Sequence, residues 1–336
     1  MKFISCASYY GSGSSAITDF VSEFSSVYSF TDEEFRFIQD PDGIADLEYN
    51  LVENFNRHNS GHAIKRYIKL VDFYCGNMFG RKYEKFFHGN WKKYSDEYIK
   101  KITDFTYHGW WLYDLLDKGK FFYFRKRFVN KFLRITMWKN QPERTFNTLK
   151  KEITYCAHPS EDKFIKCTKE YIEKLFSSVC EGMDTVMVDQ LVPPTNLDRY
   201  TRYFDNIKVV IVDRDPRDIF VLEKYVWKDG IIPTDVNDFC KWFKYTRSHR
   251  KTESFNSEKV KLIKFEDMVY KYDETTADII NWLNLQKNEH REKQQLFNPN
   301  KSIKNTQMWK KIKCDLKEIQ YIEEELSEYL YSFPDD

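Results

Sequence analysis

The first twenty residues constrain the fold more than any other stretch. Residues 3–7, Phe-Ile-Ser-Cys-Ala, are small and apolar, which suits a buried strand. A glycine- and serine-rich turn follows, Tyr10-Gly11-Ser12-Gly13-Ser14-Ser15, and from Ala16 the apolar residues return at helical spacing. A strand, a Gly/Ser turn and a helix N-terminus together form an anion site. Unbonded backbone N–H groups point outward, glycine permits close approach, and the helix dipole favours negative charge. The turn lacks the Gly-Lys-Ser/Thr ending of a Walker A loop and is not Gly-x-Gly-x-x-Gly. Taken alone, it also fits an ordinary strand-to-helix connection.

The chain is long enough, at 336 residues, to bury a sizeable core without staples. A net charge of +1 gives no global signature of a nucleic-acid or membrane binder. The seven cysteines are scattered with no Cys-x-x-Cys pair, which argues against a zinc site or a disulfide framework. The N-terminal run has no signal-peptide apolar region, and no apolar run reaches membrane-spanning length. These features together suggest a reduced, cytoplasmic setting.

In chain order, residues 15–27 read as the first helix and residues 35–38 as a short strand. Asp40-Pro41-Asp42-Gly43 reads as a turn. Helical spacing resumes from Ile44 to Phe73, interrupted by Arg57-His58-Asn59-Ser60-Gly61-His62. That cluster is either a solvated kink between helices or an acceptor-binding wall. Residues 81–151 interleave aromatic and basic side chains, a pattern of single-strand binders, of sugar or polyanion clefts, and of helical inserts with snorkelling cations. The helical insert, shaping an acceptor site, is the expectation for residues 44–151. Residues 164–179 form an amphipathic helix pattern. Three further buried strands are expected at 185–188, 207–213 and 260–265. Asp189-Gln190 and Arg214 follow the first two, where open parallel sheets bind ligands. A guanidinium there matches a phosphate in fork geometry, although it also suits a salt bridge to an Asp-rich helix cap.

In order, these parts resemble the cytosolic-type sulfotransferase superfamily, which uses 3′-phosphoadenosine 5′-phosphosulfate (PAPS). Residues 10–15 look like its 5′-phosphosulfate loop, normally Pro-Lys-Ser-Gly-Thr-Thr. Val210-Ile-Val-Asp-Arg214-Asp-Pro-Arg-Asp218 looks like its 3′-phosphate strand. Leu262-Ile-Lys-Phe-Glu266-Asp267 is similar to its Tyr-Glu-Asp-Leu strand end, and Ser302-Ile-Lys304-Asn305 to its nucleotide-covering loop. The match covers the N-terminal segment and residues 185–312. Gly11 stands in place of the usual lysine, Leu222 in place of a serine, and Asp189 or Gln190 near the usual histidine.

The resemblance implies an α/β, P-loop NTPase-like three-layer fold with a central parallel sheet and a large helical insertion. The whole chain, 1–336, would be a single sulfotransferase-like domain. The reaction would transfer a sulfuryl group from PAPS to a hydroxyl of a sugar or polysaccharide acceptor, as in bacterial carbohydrate-modifying members. Tyr10, Gly11, Ser12, Gly13, Ser14, Ser15 and Ala16 would hold the 5′-phosphosulfate, with Ser14 also catalytic. Arg214, Lys304 and Asn305 would hold the 3′-phosphate, Asp189 would be the base, and Arg57, His58 and His62 would meet the acceptor. No metal, nucleic acid or transmembrane segment is implied. Two other readings stay open: a P-loop kinase of nucleotides or small molecules, and a non-catalytic glycan- or protein-binding member of the fold.

Overall fold

The computed structural model describes residues 1–76, 83–253 and 255–334. Arg81 and Lys82, which open the basic aromatic stretch, lie outside the described residues. The chain divides into two compact units, one built from residues 1–40 and 176–336, the other from 41–175.

Seven strands are present: β1 Lys2–Ser8, β2 Val27–Glu34, β3 Phe105–His108, β4 Ile153–Cys156, β5 Thr185–Asp189, β6 Ile207–Asp213 and β7 Val260–Lys264. In the first unit five of them form one sheet in the order β2-β5-β1-β6-β7, every neighbouring pair parallel. Parallel neighbours require crossover connections, and these carry the helices to both faces. Because successive side chains alternate, Ile4 and Cys6 face one layer and Phe3 faces the other. Ile4 and Cys6 pack with Ile17, Phe20 and Val21 of the Ser15–Ser22 helix and with Ile279 and Leu283 of the Tyr272–Leu283 helix. Phe3 meets Phe176 and Phe204 edge-on, with ring centroids at 5.4 and 5.0 Å. The unit is therefore a three-layer α/β fold with a parallel central sheet, as the sequence predicts.

Two local expectations fail. The first helix stops at Ser22, and Val27 already begins β2, so the second strand runs over Val27–Glu34 and not 35–38. Phe35 still donates its N–H to the Asp189 carbonyl at 3.0 Å, but the next residues close a turn, with Gln39 and Asp40 donating back to the Arg36 carbonyl. The apolar residues at 35, 37 and 38 are buried in that turn, which gives them the composition of a strand without the ladder.

The second unit is mostly helical, with helices Arg57–Tyr74, Trp91–Ile102, Leu112–Thr136 and most of Glu161–Ser177. It also contains an antiparallel β3–β4 pair. The helical pattern that begins at Ile44 breaks before Arg57, where the Asn56 side chain accepts from the N–H groups of His58 and Asn59 at 3.0 Å each and starts a new helix. Gly61 allows that helix to lie against β4. A Cβ there would come within 2.6 Å of the Tyr155 carbonyl oxygen, so alanine would push the strand away.

Candidate active site

The parallel register brings four chain ends together at the carboxyl edge of the sheet. Asp189 pairs with Cys6, and Val212 pairs with Ser8. The loop after β1, Asp189, Arg214 and Phe265–Glu266 therefore converge. The loop turns through left-handed backbone at Gly11 (φ 74°) and Gly13 (φ 89°). Ser12 is buried and committed: its N–H and its hydroxyl both donate to the Tyr9 carbonyl, at 3.1 and 2.8 Å. Ala16 and Ile17 donate back to Gly13 and Ser14. By contrast, the N–H groups of Gly13, Ser14 and Ser15 donate to no group among the described residues. Three successive open N–H groups at the start of a helix form a concavity suited to an anion. Tyr10 is half exposed beside it.

The Ser14 hydroxyl donates to Asp189 Oδ2 at 3.3 Å. Asp189 is 8% exposed at the end of β5. The following residue, Gln190, takes left-handed backbone (φ 57°) and spends its side chain on the Ser8 hydroxyl, so the carboxylate of Asp189, not the amide, stands beside the loop.

Arg214 is buried and reaches back over the loop. Nη1 donates to the Gly11 carbonyl at 3.1 Å, Nη2 to the Asn305 carbonyl, and the guanidinium lies 4.9 Å from the centre of the Phe265 ring. Its Nε is buried without a hydrogen-bond partner among the described residues. Asn305 thus meets Arg214 through its backbone, while the Lys304 side chain is exposed on the same turn. Asp218 fixes the next residues by accepting from the N–H groups of Gln307 and Met308, at 3.0 and 2.6 Å. Burial pushes the Asp218 carboxyl up to about 7. Glu266 accepts from the Asp215 N–H at 2.8 Å, and burial pushes its carboxyl up to about 8.

The sequence reading missed the support behind Arg214. Arg247 donates to Asp213 Oδ1 at 2.8 Å and Arg250 to Oδ2 at 2.7 Å, while both guanidiniums cover the Tyr9 ring. Burial alone would raise the Asp213 carboxyl, but the two arginines outweigh it and hold it at about 2. Arg247 and Arg250 stand three apart at the end of the Val236–Arg247 helix, and the signal for them is that spacing together with an aspartate ending a buried strand.

Within the second unit, Arg57, His58 and His62 line one cavity of about 400 Å³. His58 stacks on Trp111 at 3.9 Å and 7°, and the Arg57 guanidinium lies 5.4 Å from the same ring. His158 stacks on Phe55 at 3.7 Å, and His62 leans on Tyr113 at 4.7 Å. Lys65 is paired with Asp114, whereas Arg57 makes no ion pair among the described residues. Burial lowers His62 below its ordinary value, so it is neutral at pH 7 and offers one donor and one acceptor.

These features define a parallel α/β protein with a loop of open N–H groups at the carboxyl edge of its central strand. No family model matches the sequence, and no curated protein does. Among solved structures, the chain is similar to the sulfotransferase domain of the Synechococcus PCC 7002 olefin synthase, at 12% identity over 99% of this chain and 95% of that one, with a TM-score of 0.43. It is similar to the sulfotransferase domain of the curacin biosynthetic pathway at 14% identity over 99% of both chains, with a TM-score of 0.42. A retinol dehydratase solved with androsterone and inactive cofactor PAP matches at 12% identity over 100% of this chain and 84% of that one, with a TM-score of 0.38. At such identities and scores no chemistry transfers, and the function has to be read from this chain's own residues.

Proposed function

We propose that the protein transfers a sulfuryl group from PAPS to an acceptor hydroxyl, the acceptor being a sugar or polysaccharide. The observation that carries this reading is the meeting of three open loop N–H groups, a Ser14–Asp189 pair and a buried arginine at one sheet edge. PAPS would supply an activated sulfuryl group and a nucleotide leaving group bearing a 3′-phosphate. The residues present fit such an anion. The N–H groups of Gly13, Ser14 and Ser15, with the Ser15 hydroxyl, would donate to its 5′ end, where charge grows during an in-line transfer, while the Ser14 hydroxyl stays on Asp189. Tyr10, Gly11, Ser12 and Ala16 complete the loop. Arg214 has its unpartnered Nε for the 3′-phosphate, and Lys304 and Asn305 take the place of the hydroxyl that Leu222 lacks. Asp189 accepts the acceptor proton, and Ser14 orients its carboxylate through their hydrogen bond.

For the acceptor, the support is the histidine-rich aromatic pocket of the helical insertion. Aromatic faces suit the flat side of a sugar ring, and Arg57, which makes no ion pair among the described residues, suits an acidic substituent. His58 and His62 supply hydroxyl partners.

Transfer of radiolabelled sulfate from PAPS to a panel of saccharides tests this reading. Asp189→Asn is expected to lower kcat by about 10²–10⁴-fold with little change in nucleotide affinity. Full activity in that variant would remove Asp189 as the base. A second reading, a non-catalytic binding member of the fold, is favoured by one observation: two Arg214 nitrogens are already bonded to backbone carbonyls. Nucleotide binding without any transfer would select it.

A further inference from the structure

The Leu112–Thr136 helix is kinked at Gly119 (φ 78°, ψ 174°), and the part beyond the kink presents an unusual outer face. At about 100° per residue, Phe121, Phe124, Phe128, Phe132 and Ile135 fall within an arc of about 80°. All five are between 59% and 82% exposed. The opposite side is occupied: Asn130 is buried and hydrogen-bonded both ways with Phe146, at 2.8 and 2.6 Å, while Lys126 lies over Trp110 at 4.3 Å. The helix therefore already has an inner face, and the phenylalanine stripe is a second one. A contiguous exposed apolar stripe rimmed by charge marks an interaction surface.

The charge beside the stripe says what covers it. Residues 118–139 contain eight Lys and Arg and no Asp or Glu, although the whole chain carries only +1. Lys120, Arg127, Lys131 and Arg134 form one shoulder of the stripe, with Arg125 on the other. None of these five makes an ion pair among the described residues. A second copy of the chain would bring like charges face to face, which opposes a homodimer seam. An anionic bilayer surface meets both halves of the pattern: phenylalanines enter the acyl boundary while cations stay at the headgroups. No helix among the described residues is long and apolar enough to cross a membrane, so the helix would lie in the surface.

We propose that the 120–136 segment docks the protein on anionic membrane surfaces. Co-sedimentation of the full chain with phosphatidylcholine vesicles, with and without phosphatidylserine, tests this directly. Partitioning at least tenfold stronger onto the phosphatidylserine vesicles, weakened by added salt, is expected. The triple variant Phe124→Ser/Phe128→Ser/Phe132→Ser and the triple variant Arg127→Gln/Lys131→Gln/Arg134→Gln should each lose at least tenfold in partitioning. Both alter exposed positions, so their unfolding curves should match the parent. Phe128→Trp gives a readout that needs no loss of binding: compared with the parent, which already carries eight tryptophans, the emission it adds should be blue-shifted on vesicles and quenched by brominated lipid. The proposal is overturned by absent or lipid-independent partitioning, by triple variants that bind like the parent, or by an unquenched tryptophan. It is equally overturned if the patch drives self-association, or binds a single-stranded oligonucleotide, while vesicles stay bare.

Discussion

Arg214 has a structural job, and the proposed function gives it a second. Its Nη groups satisfy the carbonyls of Gly11 and Asn305, while its Nε remains buried and unpartnered. Arg214→Ala should cost about 1–3 kcal/mol of stability, because both carbonyls lose their donor. If the residue also reads a 3′-phosphate, the same variant weakens adenosine 3′,5′-bisphosphate at least tenfold and leaves the weak binding of adenosine 5′-phosphate nearly unchanged. Calorimetric titration of both ligands decides this, and equal losses would leave Arg214 only its structural role. The position was legible in the sequence because a β-branched strand and a helix cap flank it. Its supports were not: Asp213 meets Arg247 and Arg250 across more than thirty residues of chain, and no local pattern encodes such a pairing.

At the scale of elements, the loop after β1 depends on Gly13. A Cβ there would sit 2.8 Å from Phe265 Cδ2, and the backbone is left-handed as well. Gly13→Ala is therefore expected to cost about 1–3 kcal/mol and to weaken adenosine 3′,5′-bisphosphate at least tenfold. Gly182→Ala is the control. It carries a similar φ, 86°, with nothing within 4 Å of the added atom, so it should cost stability and leave binding intact. Parent-like nucleotide affinity in Gly13→Ala would mean that the loop does not cradle the ligand.

The elements around the loop also set a pH dependence. Burial raises Asp218 from an ordinary 3.8 to about 7 and Glu266 from 4.5 to about 8. Between the ordinary and raised values the native chain holds protons that the unfolded chain has released, so stability falls as pH rises. This contribution is complete below about pH 4 and gone above about pH 8. Asp213 acts with the opposite sign, stabilising above about pH 4 and ceasing to do so as the pH falls through about 2. The unfolding midpoint should therefore drop between pH 6 and pH 9, and Glu266→Gln should flatten that drop. A midpoint that climbs over the same range would contradict the assigned burial. Among the elements themselves, β1, β5, β6 and β7 were readable from their apolar runs. The remaining strand, β2, was displaced because Phe35, Phe37 and Ile38 are buried for the sake of a turn, and composition does not distinguish a buried turn from a strand.

For the whole molecule, the sequence was informative in proportion to how strictly its chemistry fixes geometry. A glycine-rich turn after an apolar run, an arginine ending a strand and a run of β-branched residues are each local signals of a parallel sheet's carboxyl edge, and they mark the first unit. The second unit carries no such motif. Its helices were visible, and Arg57, His58 and His62 do share one pocket, but Trp111 and His158 join them through tertiary packing alone. The outer face of the Leu112–Thr136 helix looked like an insert with snorkelling cations, because periodicity shows two apolar stripes without saying that one lacks a cover.

The loop after β1 and Arg214 together are proposed to hold a nucleotide bearing a 3′-phosphate. Titration of the protein with adenosine 3′,5′-bisphosphate, and separately with ATP in the presence of magnesium, tests it most directly. Binding of the bisphosphate at least tenfold tighter than ATP, with a rise in unfolding free energy of about 2.7 kcal/mol at a hundredfold excess over Kd, is the predicted result. Tighter binding of ATP, or no binding of the bisphosphate, would mean that the loop and Arg214 hold no such nucleotide.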